Sequence, residues 1–164
     1  MSDVEEITRA SQLWKLMTDA QRRSAAEAFW SEGEAGAEHA EIIGLLSRRL
    51  NFRVKSVLAL PIDRKAKYTA GLAAVSDGVA GRLLVTFHLT HQRPMMSTFL
   101  DALGISHDNG LIADDAAAPA LDASKLPEAV AALREQYPLD DVNLYLHTLR
   151  LQDHATWSGL SEFL

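Results

Sequence analysis

The chain has 164 residues, of which 48% are hydrophobic and 23% charged, and its formal net charge is −6 at pH 7. This composition excludes a disordered or fibrous chain, and the length predicts a single domain over residues 1–164. Cysteine is absent, which excludes disulfides, thiolate nucleophiles and cysteine-ligated zinc. Because no uncharged run exceeds the ten residues Leu83–Gln92 and the N-terminus lacks signal-peptide features, we expect a cytoplasmic protein with no membrane segment.

Helical patterns dominate from the first residues onward. The spacings Ser2-x-x-Glu5 and Thr18-x-x-Gln21 each predict a capping box at the start of a helix. The stretch Gly33–Gly36 predicts the end of the second helix. A third amphipathic helix follows, because apolar residues recur there at helical spacing. Its apolar stripe contains Ile42, Ile43, Leu45, Leu46 and Leu50.

The middle of the chain is less regular at first and then strongly helical. Residues 52–63 fit either a short helix that ends at Pro61 or an irregular connector. Asp63 is predicted to cap the next helix. Ser76 is predicted to cap one continuous helix from Asp77 to His91. The residues of that helix expected in the core are Leu83, Leu84 and Phe87.

The second half of the sequence predicts further helices before and after one long loop. Pro94 suits the first turn of a helix, and Gly104 suits the left-handed position that ends it, with Ile105 packing back. Residues 105–123 show no periodicity, and Ser124 is predicted to restart helical structure. No segment alternates like a strand. The predicted fold class is therefore all-α, a single compact array of seven or eight helices with one irregular loop over about residues 105–123.

Basic residues are concentrated in one segment. Residues 48–67 carry seven basic side chains against the single acid Asp63, so this segment is +6 and the remaining 144 residues sum to −12. Such a block attracts phosphates, nucleic acid or an acidic protein surface. The sequence alone favours the simpler interpretation, a solvated face that pairs with acids elsewhere. The candidate nucleic-acid or phosphate-binding residues are Arg48, Arg49, Arg53, Lys55, Arg64, Lys65 and Lys67.

Residues 46–60 also fit the helix-turn-helix pattern. Leu46 and Leu50 would face the core, Ser47 would be the small residue at the crossing, and Asn51 would adopt the left-handed turn. Val57 would anchor the second helix. This pattern is degenerate, and the second helix would be short and apolar, with few polar side chains to read bases. Nucleic-acid binding is therefore the alternative rather than the favoured function.

Motifs that fix a chemistry are missing from the sequence. It contains no Gly-x-Gly turn, no phosphate-binding P-loop, no Gly-x-Ser-x-Gly elbow and no His-Glu-x-x-His pair. We accordingly predict no catalytic residue, no cofactor and no metal site, and an enzyme is not the favoured interpretation.

Histidines are the remaining candidates for chemistry. His88 and His91 lie three residues apart on one helix, a spacing at which both could bind one metal ion. Their angular positions instead place His91 within the apolar stripe and His88 at its edge, which favours core residues over ligands. Arg93 would either bind a carboxylate or phosphate or cap the preceding helix. The full set of candidate ligand-binding residues is His88, His91, Arg93, Asp101, His107 and Asp108.

Three functional hypotheses follow from these patterns. The favoured one is a small helical interaction or regulatory module that acts through a protein surface, on a partner or on its own copy in a homodimer. Its support includes an apolar C-terminal stretch with Trp157, Phe163 and Leu164. The first alternative is a nucleic-acid-binding regulator that uses residues 46–60. The second is an enzyme or small-ligand binder with a helix-lined pocket near His91 and Arg93.

Overall fold

The structure, a computed structural model, describes residues 6–31, 37–112 and 121–164. These ranges contain ten α-helices, two short 3-10 helices and no strand, so the predicted all-α class is confirmed. Eight of the ten α-helices have seven or more residues; the other two are short and account for the excess over the predicted number. The helices are α1 (Ala10–Leu16), α2 (Asp19–Ser31), α3 (Ala37–Leu50), α4 (Val54–Leu58), α5 (Ile62–Ala73), α6 (Asp77–His91), α7 (Arg93–Ala102), α8 (Leu126–Gln136), α9 (Leu139–Gln152) and α10 (His154–Trp157).

Local hydrogen bonds explain where several helices begin. At the start of α2, the N–H of Gln21 donates to the Thr18 hydroxyl (3.1 Å) and the N–H of Thr18 donates to the Gln21 side chain (2.9 Å). This is the predicted capping box. The Ser76 hydroxyl likewise accepts from the N–H of Val79 (3.3 Å), as predicted for the start of α6. Each cap satisfies N–H groups that have no partner within the helix.

Two predicted starts are displaced along the chain. Pro61, rather than Asp63, is the N-cap residue of α5, and Asp63 lies in the first helical turn. The reason is that proline is preorganised for a helix start, while an acidic side chain is also favourable inside the first turn. Asp122 caps the 3-10 helix at Ala123–Lys125, because its carboxylate accepts from the N–H of Ser124 (3.0 Å). The α-helix itself begins at Leu126.

The end of α7 follows the predicted pattern. Gly104 has a φ of +69°, and its N–H donates to the Asp101 carbonyl (3.1 Å). The N–H of Ile105 reaches back to the Leu100 carbonyl (3.0 Å), and the Ile105 side chain is buried. This pair of bonds is a Schellman motif, which needs a left-handed residue that glycine adopts without strain.

Some predictions fall on residues outside the described ranges. These are the cap at Ser2 and Glu5, the helix break at Gly33–Gly36, and residues 113–120 of the predicted loop. The described flanks of that loop, residues 105–112 and 121–122, contain no helix.

The chain divides into two compact units. The N-terminal unit is Thr8–Thr90, and the C-terminal unit combines Met1–Ile7 with His91–Leu164. The prediction of a single domain stays a prediction. Within the described residues, no helix combines the length and the apolar character needed to cross a membrane.

The N-terminal unit is organised around α5. The indole N–H of Trp30 on α2 donates to the Thr69 hydroxyl (3.0 Å), and the indole N–H of Trp14 on α1 donates to the Ala70 carbonyl (3.0 Å). The Thr69 hydroxyl donates in turn to the Lys65 carbonyl (2.7 Å). The polar atoms of two large buried side chains are thus satisfied within the core, which avoids a desolvation cost of about 1–3 kcal/mol for each unpaired group.

The C-terminal unit has an aromatic core. The ring of Phe99 on α7 lies 5.7 Å from the Tyr145 ring on α9 and 6.1 Å from the Trp157 ring on α10. Burial raises the pKa of Tyr145 well above its usual range, so this phenol stays neutral. Three helices are therefore held together by contacts among large apolar surfaces.

Helix α6 provides the test of the core assignment. It is continuous from Asp77 to His91, and Leu83, Leu84 and Phe87 are all buried, as predicted. We expect Phe87→Ala to lower the free energy of unfolding by about 3–5 kcal/mol in urea titrations, because it leaves a large cavity. The control Thr90→Ala, at an exposed position of α6, should change it by no more than about 0.5 kcal/mol. A loss below about 1 kcal/mol for Phe87→Ala would contradict the core assignment.

Candidate interaction surface

The turn between α3 and α4 has a defined left-handed geometry. Asn51 has a φ of +56°, as the sequence predicted, and its N–H donates to the Arg48 carbonyl (3.4 Å). The N–H of Phe52 donates to the Ser47 carbonyl (3.0 Å), and the Ser47 hydroxyl donates to the Phe52 carbonyl. The first two bonds form a Schellman motif, and asparagine tolerates its left-handed position better than most residues.

Two buried side chains fix the helices on either side of this turn. Leu46 on α3 and Val57 on α4 are both fully buried, as predicted from the helix-turn-helix pattern. Leu50, also predicted to face the core, is only half-buried. Because Leu46 and Val57 point inward, the remaining side chains of the turn and of α4 are directed to solvent.

Six of the seven clustered basic side chains are exposed. Lys65 is the exception, since only 5% of it is exposed and its ammonium lies 5.2 Å from the centre of the Trp30 ring. Its prediction as a surface residue is therefore wrong. Lys65 lies four and seven residues before the buried Thr69 and Leu72, so helical periodicity places it on the core stripe of α5. The exposed residues are Arg48, Arg49, Arg53, Lys55, Arg64 and Lys67.

Four large apolar side chains are exposed among these cations. Their exposed fractions are 40% for Phe52, 50% for Val54, 36% for Leu58 and 51% for Ile62. We call these four residues together with the six exposed cations the basic-apolar surface. Sequence reasoning missed its apolar part because helical apolar residues are ordinarily assigned to a core. The available signal was the alternation Phe52-Arg53-Val54-Lys55, which no single buried helical stripe accommodates.

The charge of this surface is not neutralised within the described part of the chain. Its six cations form no ion pair with any described residue. Asp63 is the single acid in the segment from residue 48 to residue 67. The interpretation of a face that pairs with acids elsewhere is therefore not supported within the described ranges.

The length and the exposed side chains of α4 also bear on whether this helix could recognise the bases of DNA. Helix α4 has five residues, which is roughly 8 Å of helix, and only Lys55 and Ser56 are exposed polar side chains on it. A recognition helix needs several polar side chains at the base edges of the major groove. The exposed Val54 and Leu58 occupy positions where such side chains would be required.

The two histidines of α6 have opposite environments. His88 is buried, whereas His91 is exposed at the end of the helix. The predicted placement, with His91 in the buried stripe and His88 at its edge, is therefore wrong. The angular position of a residue on a helix predicts its burial only where other parts of the chain pack along that helix. His91 is the last residue of α6. Burial lowers the pKa of His88 to about 4, so its imidazole is neutral at pH 7.

His107 is held by two hydrogen bonds within the C-terminal unit. Its Nδ1 accepts from the N–H of Gly110 (2.9 Å), and its Nε2 lies 2.6 Å from a carboxylate oxygen of Asp101. Because the Gly110 N–H can only donate, Nδ1 carries no proton, and Nε2 is the donor to Asp101. The structure therefore brings Asp101 and His107 together, but neither ring nitrogen keeps a lone pair for a metal ion or a reacting proton.

Arg93 and Asp108 lie at the same turn. Asp108 and Leu111 exchange two backbone hydrogen bonds (2.7 and 3.0 Å) around Asn109 and Gly110, whose φ angles are +48° and +90°. The Arg93 guanidinium donates to the Asn109 carbonyl (3.0 Å). A Cβ at Gly110 would lie 2.9 Å from that of Met96 and 3.2 Å from the Arg93 carbonyl oxygen. These contacts hold the turn against α7.

The apolar C-terminal stretch is not an open surface. Trp157 and Leu160 are buried, and Phe163 and Leu164 are half-buried. The Arg134 guanidinium donates to the Phe163 carbonyl, which attaches the end of the chain to α8. The stretch packs within its own unit, so it does not support the interaction hypothesis as the sequence suggested.

His88 makes the stability depend on pH. Its pKa is about 4 in the folded protein and 6.5 when exposed, so the unfolded chain binds the extra proton between these values. Stability is therefore full above pH 6.5 and falls as the pH drops towards 4. Between pH 7 and pH 5, the wild-type protein should lose about 2 kcal/mol more than His88→Gln does. His91→Gln, on the exposed end of α6, should behave as wild type; equal losses in wild type and His88→Gln would contradict the assignment.

The histidine geometry also predicts the response to metal removal. Among the described residues, no group of three or more histidine, aspartate or glutamate side chains is placed to hold a metal ion. Dialysis against a chelator should therefore leave the melting temperature unchanged, because no binding energy contributes to folding. A clear drop in melting temperature, together with stoichiometric metal in elemental analysis, would show that a metal site exists.

The comparisons with known proteins give no family. Scans against protein-family models, curated proteins and solved structures found no match to this chain.

Proposed function

We propose that this protein is a helical interaction module that binds an acidic partner protein through its basic-apolar surface. The observation that carries the proposal is that four large apolar side chains and six cations are exposed within the single chain segment from residue 48 to residue 67. An apolar patch bordered by charged residues is typical of a protein–protein contact. A cytoplasmic location and a homodimeric form both stay predictions.

The two components of the surface have separate roles. Burial of the exposed apolar side chains supplies affinity, at about 25 cal/mol for each Å² of apolar area removed from water. The cations accelerate the encounter with an acidic partner and disfavour basic ones. The partner therefore combines carboxylates with apolar side chains. A purely acidic polymer leaves Phe52, Val54, Leu58 and Ile62 in water and binds more weakly.

The other hypotheses fit these residues less well. A symmetric homodimer through this surface would bring two sets of six cations together. Like charges placed opposite each other at an interface cost roughly several kcal/mol. Duplex DNA would leave the exposed apolar side chains unburied. The alternative of an enzyme or small-ligand binder near His91 and Arg93 stays a prediction; of the other candidate histidines, His88 is buried and both ring nitrogens of His107 are engaged.

A labelled helical peptide tests the proposal directly. The probe has about 20 residues, with leucine at i, i+3, i+4 and i+7 and glutamate elsewhere. In fluorescence anisotropy we expect the protein to bind this peptide at physiological salt and to leave duplex DNA unbound. Absence of peptide binding would overturn the proposal, and tighter binding to DNA would replace it with the nucleic-acid alternative.

A matched pair of variants assigns the binding to the surface. Arg53→Ala with Lys55→Ala should weaken peptide binding between about twofold and thirtyfold, because each exposed charge pair contributes about 0.2–1 kcal/mol. It should also reduce the salt dependence of the association rate. The control is Lys15→Ala with Arg23→Ala, which removes the same charge at exposed positions of α1 and α2. Equal effects of the two double variants would show that net charge, rather than this surface, drives the binding.

A further inference from the structure

Phe52 differs from the other exposed apolar residues in how its backbone is held. Its N–H donates to the Ser47 carbonyl (3.0 Å), and its carbonyl accepts from the Ser47 hydroxyl. The preceding residue, Asn51, is held in the left-handed conformation by the same Schellman motif. Phe52 thus lies outside any helix, yet both of its backbone polar groups are fixed.

The surroundings of Phe52 are strongly basic. Arg53 follows it directly, and Arg48 and Arg49 occupy the last turn of α3, immediately before the Asn51 turn. All three arginines are exposed. Arginine and the aromatic residues, phenylalanine included, are enriched in protein–protein interfaces relative to the rest of the surface.

A fixed backbone lowers the entropy that binding removes. Each rotamer-rich side chain immobilised at an interface costs about 0.5–1.5 kcal/mol, and an unfixed loop backbone adds to this. Phenylalanine has only two side-chain torsions, and its backbone is already ordered here. It can therefore bury a large apolar ring at a low conformational cost.

We propose that Phe52 is the aromatic anchor of the basic-apolar surface and that it selects an acidic amphipathic segment as the partner. The apolar side chains of that segment pack on the Phe52 ring, while its carboxylates pair with Arg48, Arg49 and Arg53. This inference rests on the proposed function. Ser47 and Asn51 are positioning residues, because they act on the partner only through the placement of Phe52.

The first experiment uses the leucine–glutamate peptide and a second peptide in which alanine replaces every leucine. Phe52→Ala should weaken binding of the leucine peptide at least about tenfold, the effect of an interface anchor. The same substitution should change binding of the alanine peptide much less, because a methyl group buries far less apolar area on the ring than a leucine side chain does. The matched control is Ile62→Ala, which should have the smaller effect although Ile62 is more exposed.

A double-mutant cycle then separates positioning from a general structural role. Ser47→Ala should weaken binding of the leucine peptide several-fold in the wild-type background and have no effect in the Phe52→Ala background. Asn51→Gly, which keeps the left-handed turn, should weaken binding less than Ser47→Ala does. Circular dichroism and melting temperature should confirm that each variant is folded.

The outcomes are distinguishable. No binding of the leucine peptide by the wild-type protein overturns the proposed function, and the anchor with it. Binding by the wild type that Phe52→Ala leaves unchanged, or that Ile62→Ala weakens more, overturns the anchor alone. Equal effects of Ser47→Ala in both backgrounds overturn the positioning role of Ser47.

Discussion

The burial of Leu46 and Val57 on either side of one left-handed residue determines what the α3–α5 region shows to solvent. Leu46 fixes the orientation of α3 and Val57 that of α4, while Asn51 sets the angle of the chain between them. With these three constraints in place, Phe52, Val54 and the cations beside them remain on the solvent side of the segment. The exposure of Phe52 and Val54 therefore results from the packing of their neighbours, since neither side chain is of a type that favours solvent.

The sequence predicts the helical architecture well because its signals are local. The capping box at Thr18 and Gln21, the cap at Ser76 and the left-handed ends at Asn51 and Gly104 each depend on residues within one turn of each other. Their hydrogen bonds form wherever the chain is helical, independently of the rest of the fold. The predicted α6 is continuous for the same reason, since its apolar register is unbroken from Asp77 to His91.

The environments of the candidate site residues were harder to predict because they depend on distant neighbours. His88 and His91 share a helix, and only the packing around α6 decides which of them is buried. Lys65 belongs to a run of cations in the sequence, yet its ammonium lies over the Trp30 ring on another helix. Charge density along the chain therefore identified a segment with six exposed cations but included one core residue, Lys65.

The unequal distribution of charge has a consequence for how molecules meet this protein. Residues 48–67 are +6 and the remaining 144 residues are −12, so an acidic macromolecule approaching from solution is repelled over most of the chain and attracted to one segment. Such a field acts beyond contact distance, over a Debye length of about 8 Å at physiological ionic strength. The attraction therefore favours collisions at residues 48–67, and raising the ionic strength weakens the repulsion and the attraction together. At physiological ionic strength, an acidic partner would therefore be oriented by the electric field before contact, and shape complementarity would act only after contact.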